Sequence, residues 1–119
     1  MYIKSFKELI VWQKSVQLVT KIYTLSKLLP KEEIYGLTSQ IRRAAVSIPS
    51  NIAEGKRRKT IKDYVHFLRI ADGSAAELET LLIIVQNLYP RIYNDEIKSL
   101  LEEIQKMLIS IIKKLESKS

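Results

Sequence analysis

The chain has no cysteine, and only three glycines, three prolines, one tryptophan and one histidine in 119 residues. Without cysteine there is neither a disulfide framework nor a thiolate nucleophile, a usage that fits a reducing compartment such as the cytoplasm. So little glycine and proline excludes collagen-like sequence, low-complexity disorder and a loop-rich β fold. With His66 alone, no multi-histidine metal site forms within one chain, and a di-iron bundle needs two Glu-x-x-His pairs that are absent. The uncharged run Thr80 to Pro90 spans eleven residues, against the ~20 needed to cross a bilayer. The opening Met1-Tyr2-Ile3-Lys4-Ser5-Phe6-Lys7-Glu8 carries charge where a secretion signal needs an apolar core. No G-x-G-x-x-G, phosphate-loop or G-x-S-x-G pattern occurs. Glu77 and Glu79, two apart, point to different faces of a helix and make poor acid–base partners. These absences together set the expectation of a cytoplasmic non-enzyme with no cofactor, metal or membrane segment, folded as one domain over residues 1–119.

What is present is an ordinary globular mixture, 46% apolar and 28% charged, with a formal net charge of +7. A chain of this length buries roughly 65% of its unfolded surface, enough for one core. The charge is local. Between Gln40 and Ile70 eight basic residues (Arg42, Arg43, Lys56, Arg57, Arg58, Lys59, Lys62 and Arg69) face two acids, Glu54 and Asp63. A concentrated excess of this kind is the footprint expected of a polyanionic partner, or else a solvated face that keeps the protein in solution; on the first reading those eight are the candidate nucleic-acid-binding residues.

Four segments carry helical periodicity and none alternates as a strand does. In the first, Leu9, Trp12, Val16, Val19, Tyr23 and Ser26 form a stripe, Ser5 with Glu8 reads as a capping box, and Pro30 ends it. The second stripe, Leu37, Ile41, Ala44, Ile48, Ile52 and Gly55, contains Pro49, which removes a backbone hydrogen bond and crowds the Ala45 carbonyl. One helix from about Leu37 to Gly55, kinked near Pro49, is expected. The third runs through Tyr64, Phe67, Ala71, Ser74, Leu78, Leu81, Val85 and Leu88, capped by Thr60 and closed by Pro90. The fourth runs through Ile97, Leu101, Ile104, Leu108, Ile111 and Leu115 after a cap at Asn94 or Asp95. Short links make neighbours antiparallel, so the predicted fold is all-α, an up-down-up-down four-helix bundle.

Two further expectations concern packing. The small residues Ala71-Asp72-Gly73-Ser74-Ala75-Ala76 and Ala44, Ala45, Ser47, Ser50 and Ala53 predict close approach of the second and third helices within one chain, the alternative being close approach between chains in an oligomer. Glu54 and Glu77, set among small and apolar residues, call for an arginine partner, Arg43 or Arg42, to offset desolvation. Apolar residues outside the stripes (Ile10, Val11, Ile22, Leu25, Leu82, Ile83, Ile84 and Ile112) are more than one small bundle can bury entirely, so some of them are expected to face another chain.

The run Gly36-Leu37-Thr38-Ser39-Gln40-Ile41-Arg42-Arg43-Ala44-Ala45-Val46-Ser47-Ile48-Pro49-Ser50-Asn51-Ile52-Ala53-Glu54-Gly55, with Gly73-Ser74-Ala75-Ala76-Glu77-Leu78-Glu79 and the opening Phe6-Lys7-Glu8-Leu9-Ile10-Val11-Trp12-Gln13, closely resembles the four-helix-bundle family of 23S rRNA intervening-sequence proteins. The family is bacterial and is related to the accessory variability proteins of diversity-generating retroelements, ring-shaped homopentamers that bind RNA and a reverse transcriptase. The resemblance implies the same fold, a homopentamer, and a role with RNA in which a reverse transcriptase is a candidate partner. Arg42, Arg43, Asn51, Glu54, Gly55, Ser74 and Glu77 match the family pattern, which Pro49 and Gly73 complete as structural motif positions.

Two functional classes follow. One is a nucleic-acid-binding accessory protein. Lys56 and Arg57 sit where a helix C-terminus favours cations without any ligand, but Lys59 and Lys62 sit at a helix start, where cations are unfavourable. A helix start ringed by Arg58, Lys59 and Lys62 suits a phosphate. With no aromatic inside Lys56 to Lys62, contact with the backbone outweighs base stacking. The other class is an oligomeric scaffold whose partner is a protein.

Overall fold

The computed structural model describes residues 5–118; the reading of the first four residues lies outside that range. Local chemistry sets the ends of the helices. Helix α1 spans Ile10–Ser26, α2 Leu37–Lys56, α3 Ile61–Leu88 and α4 Asp95–Glu116. Thr60 Oγ1 accepts from the Asp63 amide and Asn94 Oδ1 from that of Ile97, so α3 and α4 start at the caps that the sequence predicts. The Ser5 capping box is corrected. Ser5 caps a separate 3-10 turn over Phe6–Glu8, Leu9 is extended, and α1 begins one residue later. The Phe6 ring meets Trp12 edge-on at 5.3 Å and holds that turn against α1. Helix α2 runs without a break through Pro49.

The helices stand antiparallel in a square, α1 beside α2 and α4, α3 beside α2 and α4, with the diagonal backbones apart. Cross-links fix the register. Lys14 meets Glu103 and, seven residues on, Lys21 meets Glu96. Ser47 meets Ser74 and Arg43 meets Glu77 between α2 and α3. Arg69 meets Glu116, and Gln105 donates to Glu79, between α3 and α4. Lys21 holds the Glu96 carboxyl below its ordinary range by hydrogen bond and charge, against a smaller opposing desolvation. The particle measures 46 × 22 × 20 Å.

One core fills the square, and it corrects two of the predicted stripes. On α1 the buried line is Val11, Ser15, Leu18, Ile22 and Leu25, while Val16 and Tyr23 are exposed. Ser15 and Ser26 enter the core because each hydroxyl donates to a carbonyl three residues back, Trp12 and Tyr23, at 2.8 Å, leaving no unpaired polar atom. On α3 the core takes Val65 and Leu68 in place of Tyr64 and Phe67, and Leu88 is exposed; Ala71, Leu78, Leu81 and Val85 are buried as predicted. The α2 stripe is buried throughout. On α4, Ile97, Leu101, Ile104 and Leu108 are buried, with Ile112 in the core beside a half-buried Ile111. Of the eight apolar residues outside the predicted stripes, Val11, Ile22, Leu25, Leu82 and Ile112 belong to this core. Ile10, Ile83 and Ile84 are exposed.

Small residues do bring α2 and α3 together: Ala44, Ala45, Ala71 and Ala75 are fully buried between them. Gly73 is the exception. A Cβ there would meet nothing within 4 Å. Gly73→Ala is expected to raise stability by about 0.8–1.0 kcal/mol, the ordinary helix-propensity gain, read as a rise of the thermal midpoint. A fall would mean that something outside this chain packs on Gly73.

Candidate nucleic-acid interface

The α2–α3 corner is built by a tight turn. Helix α2 ends with the Arg57 amide donating to the Ala53 carbonyl, Arg58 donates to Gly55, and Thr60 opens α3. The turn can be this tight because Gly55 lies directly against Tyr64 and Phe67. Lys56 Nζ stands 5.8 Å from the Tyr64 ring centroid, and the Arg58 guanidinium lies 4.7 Å over Phe67. Burial pushes the Tyr64 phenol above its ordinary pKa, so it stays uncharged beside these cations at neutral pH. The 3-10 turn packs on the same corner: Ser5 and Phe6 share with Lys56 and Arg57 a cleft of ≈ 340 Å³.

The eight candidate cations divide into two groups. Arg57, Lys59 and Lys62 are exposed and make no ion pair among the described residues, and Lys56 has only its ring contact. The other four are engaged. Arg42 is drawn to α1, where Nε donates to Ser26 Oγ at 2.7 Å and the guanidinium lies 4.7 Å over Tyr23. Arg43 reaches Glu77 at 3.9 Å, Arg58 reaches Glu54 at 2.9 Å, and Arg69 bonds Glu116. The predicted arginine for Glu77 is thus Arg43, while Glu54 takes Arg58, its i,i+4 neighbour, in place of Arg43 or Arg42. Both carboxylates are about half exposed. Such pairs are worth ~0–1 kcal/mol. Asn51 and Ser74 join Ser47 in a half-buried polar cluster on the α2–α3 seam: Asn51 Nδ2 donates to the Ser47 carbonyl and hydroxyl, and the Ser47 and Ser74 hydroxyls are 2.7 Å apart. His66 is exposed, with its ring edge-on to Phe67. Among the described residues no cluster of three or more His, Cys, Asp or Glu is placed to hold a metal ion, and no helix is long and apolar enough to cross a membrane.

The antiparallel order adds cations that the local window does not contain. The Arg69–Glu116 bond ties the last turn of α4 to the early turns of α3, so Lys113, Lys114 and Lys118 stand at the end of the bundle occupied by the α2–α3 corner, together with Lys7. When the described chain is divided at the helix midpoints, this half carries twelve basic and five acidic residues; the opposite half carries seven and eight. The whole of the molecule's positive excess lies in one half. The sequence signal for this was available: in an up-down-up-down bundle a basic last turn of the fourth helix must meet the start of the third.

A family model described as 23S rRNA-intervening sequence protein matches residues 7–110. Among solved structures, the chain is similar to a protein of unknown function from the S23 ribosomal protein family of Bacteroides thetaiotaomicron VPI-5482. The two share 31% sequence identity at a TM-score of 0.79, over 87% of this chain and 99% of that one. No curated protein matches.

Proposed function

Because the chain belongs to the 23S rRNA-intervening sequence protein family, we propose that it is a non-enzymatic RNA-binding protein that grips the sugar-phosphate backbone with the basic end of its bundle. The observation that carries this reading is the one-sided charge, twelve basic against five acidic residues in one half of the described chain, with Arg57, Lys59 and Lys62 making no ion pair among the described residues. Lysines at the start of α3 oppose the helix dipole, a cost that a bound phosphate reverses. Lys56, Arg57, Lys59 and Lys62 form the contact set, with Arg58 beside them. Arg42, Arg43 and Arg69 serve the fold. The contact set has no freely exposed aromatic among its cations, so it holds the backbone with little base readout. The protein acts in the cytoplasm as a homo-oligomer, a pentamer by the resemblance, and repetition of the basic end strengthens binding through avidity. A reverse transcriptase is the partner that the same resemblance suggests. Exposed Ile34, Tyr35 and Val46, away from the basic end, favour a concurrent protein-interaction role.

Four phosphates neutralised per engaged protomer give a slope of log affinity against log salt of about −2.8 on single-stranded RNA and about −3.6 on a duplex. Fluorescence anisotropy with a labelled RNA oligomer over a salt series reads it. No binding at low salt, or a flat slope, would overturn the proposal.

A further inference from the structure

Tyr35 is 94% exposed, at the end of the bundle opposite the basic one. The link that carries it is braced on both sides of it. The link between α1 and α2 is braced by backbone bonds from Glu33 to Pro30, Ile34 to Lys31 and Gly36 to Glu33. Glu33 Oε2 accepts from the Tyr89 hydroxyl at 2.7 Å, pinning the link to the end of α3. That hydrogen bond, then desolvation and the charges of Glu33 and Glu32, keep the Tyr89 phenol above its ordinary pKa, so the pin persists at neutral pH. Tyr35 is therefore an aromatic projection on a braced link, beside exposed Ile34 and Val46, in a groove whose charged lining residues among those described are Arg42 and Arg43.

The opposite side of the square holds the matching shape. Between α3 and α4, in the same half, lies a mostly apolar cleft of ≈ 310 Å³ floored by Leu82, Ile83 and Leu101, with two carboxylates, Glu79 and Glu102, against one lysine, Lys98. An apolar floor with carboxylate acceptors suits a phenol, whose ring is apolar and whose hydroxyl needs a partner. The acidic rim also complements Arg42, which flanks Tyr35 and has no carboxylate partner among the described residues, while Arg43 already meets Glu77.

We propose that Tyr35 of one copy of this chain seats in the α3–α4 cleft of the next. Each copy offers one projection and one cleft on opposite sides, so the contact is heterologous and repeats head to tail. A closed ring then sets every basic end at one level, where their charges act together on one RNA. The inference rests on the homo-oligomer in the proposed function and names its interface; RNA contact at the basic end is a separate matter.

The test is light scattering on purified protein. Wild type is expected well above 13.8 kDa, and both Tyr35→Ala and Ile83→Glu at the monomer mass, with unchanged helical circular dichroism, since both side chains are exposed. Mixing the two variants leaves one intact projection and one intact cleft, so a dimer of one of each is expected, and nothing larger. A monomeric wild type overturns both the oligomer and this interface. A Tyr35→Ala protein that assembles like wild type, or a mixture that stays monomeric, overturns the interface alone. The salt slope per protomer, unchanged in Tyr35→Ala, reports on the RNA reading independently.

Discussion

Gly55→Ala is expected to destabilise the bundle by about 2 kcal/mol. The new Cβ would lie 2.9 Å from Phe67 Cβ and 3.1 Å from both Tyr64 Cδ1 and the Tyr64 carbonyl oxygen. Phe67 Cβ and the Tyr64 carbonyl belong to or adjoin the α3 backbone, so the clash cannot be relieved by turning the end of a flexible side chain. Helices α2 and α3 must separate. Overpacking of this kind costs ~1–3 kcal/mol, and the direct backbone clash places Gly55 at or slightly beyond the upper end. Alanine returns ~1 kcal/mol through helix propensity. At ~4 °C per kcal/mol for a chain of this size, the thermal midpoint falls by about 8 °C. The same substitution at Gly73 moves the midpoint the other way, so the two glycines act as each other's control. A Gly55→Ala protein as stable as wild type would mean that α2 and α3 are not in contact there. Separation of the helices also parts Lys56 from Lys59 and Lys62, so RNA affinity is expected to fall with stability.

Replacing Arg57, Lys59 and Lys62 together by alanine is expected to flatten the salt dependence of RNA binding, from a slope of about −2.8 to about −0.7 on single strands. The affinity lost is therefore largest at low salt and shrinks as salt rises. Stability is expected to stay within ~0.5 kcal/mol of wild type, because none of the three makes an ion pair or a side-chain hydrogen bond among the described residues. Arg58→Ala is the contrasting variant. Its guanidinium is already matched by Glu54 and rests on Phe67, so its removal changes the slope less than loss of any one free cation. Salt titrations of both variants decide the matter, and an unchanged slope in the triple variant would reject the corner as the binding surface.

Much of the fold was legible because its signals are local. Thr60 and Asn94 cap the helices that follow them, and the α2 stripe is buried whole because its opposite face is polar and small. The α1 stripe was misread for a definite reason. Helix α1 is apolar around more than one face, so Leu9–Trp12–Val16 and Val11–Leu18–Ile22 both satisfy helical spacing. The choice between them fell to Ser15, which periodicity treats as a surface residue and which the helix satisfies internally. The misreading also inflated the apparent surplus of apolar residues, five of which belong to the core. At the candidate site the window from Gln40 to Ile70 pointed to the α2–α3 corner, where the structure gathers Lys56, Arg57, Arg58, Lys59 and Lys62. It could not separate Arg42, Arg43 and Arg69, whose partners lie on other helices, from Arg57, Lys59 and Lys62, which make no ion pair among the described residues.

By itself the sequence determined four antiparallel helices and a basic corner, since caps, stripes and runs of like charge act over a few residues. Tertiary structure alone decided which face of α1 is core and which arginines take partners on other helices. Those outcomes depend on contacts between residues 16 to 75 positions apart, and side-chain pairing at such range is set by how helices pack, which no local pattern encodes.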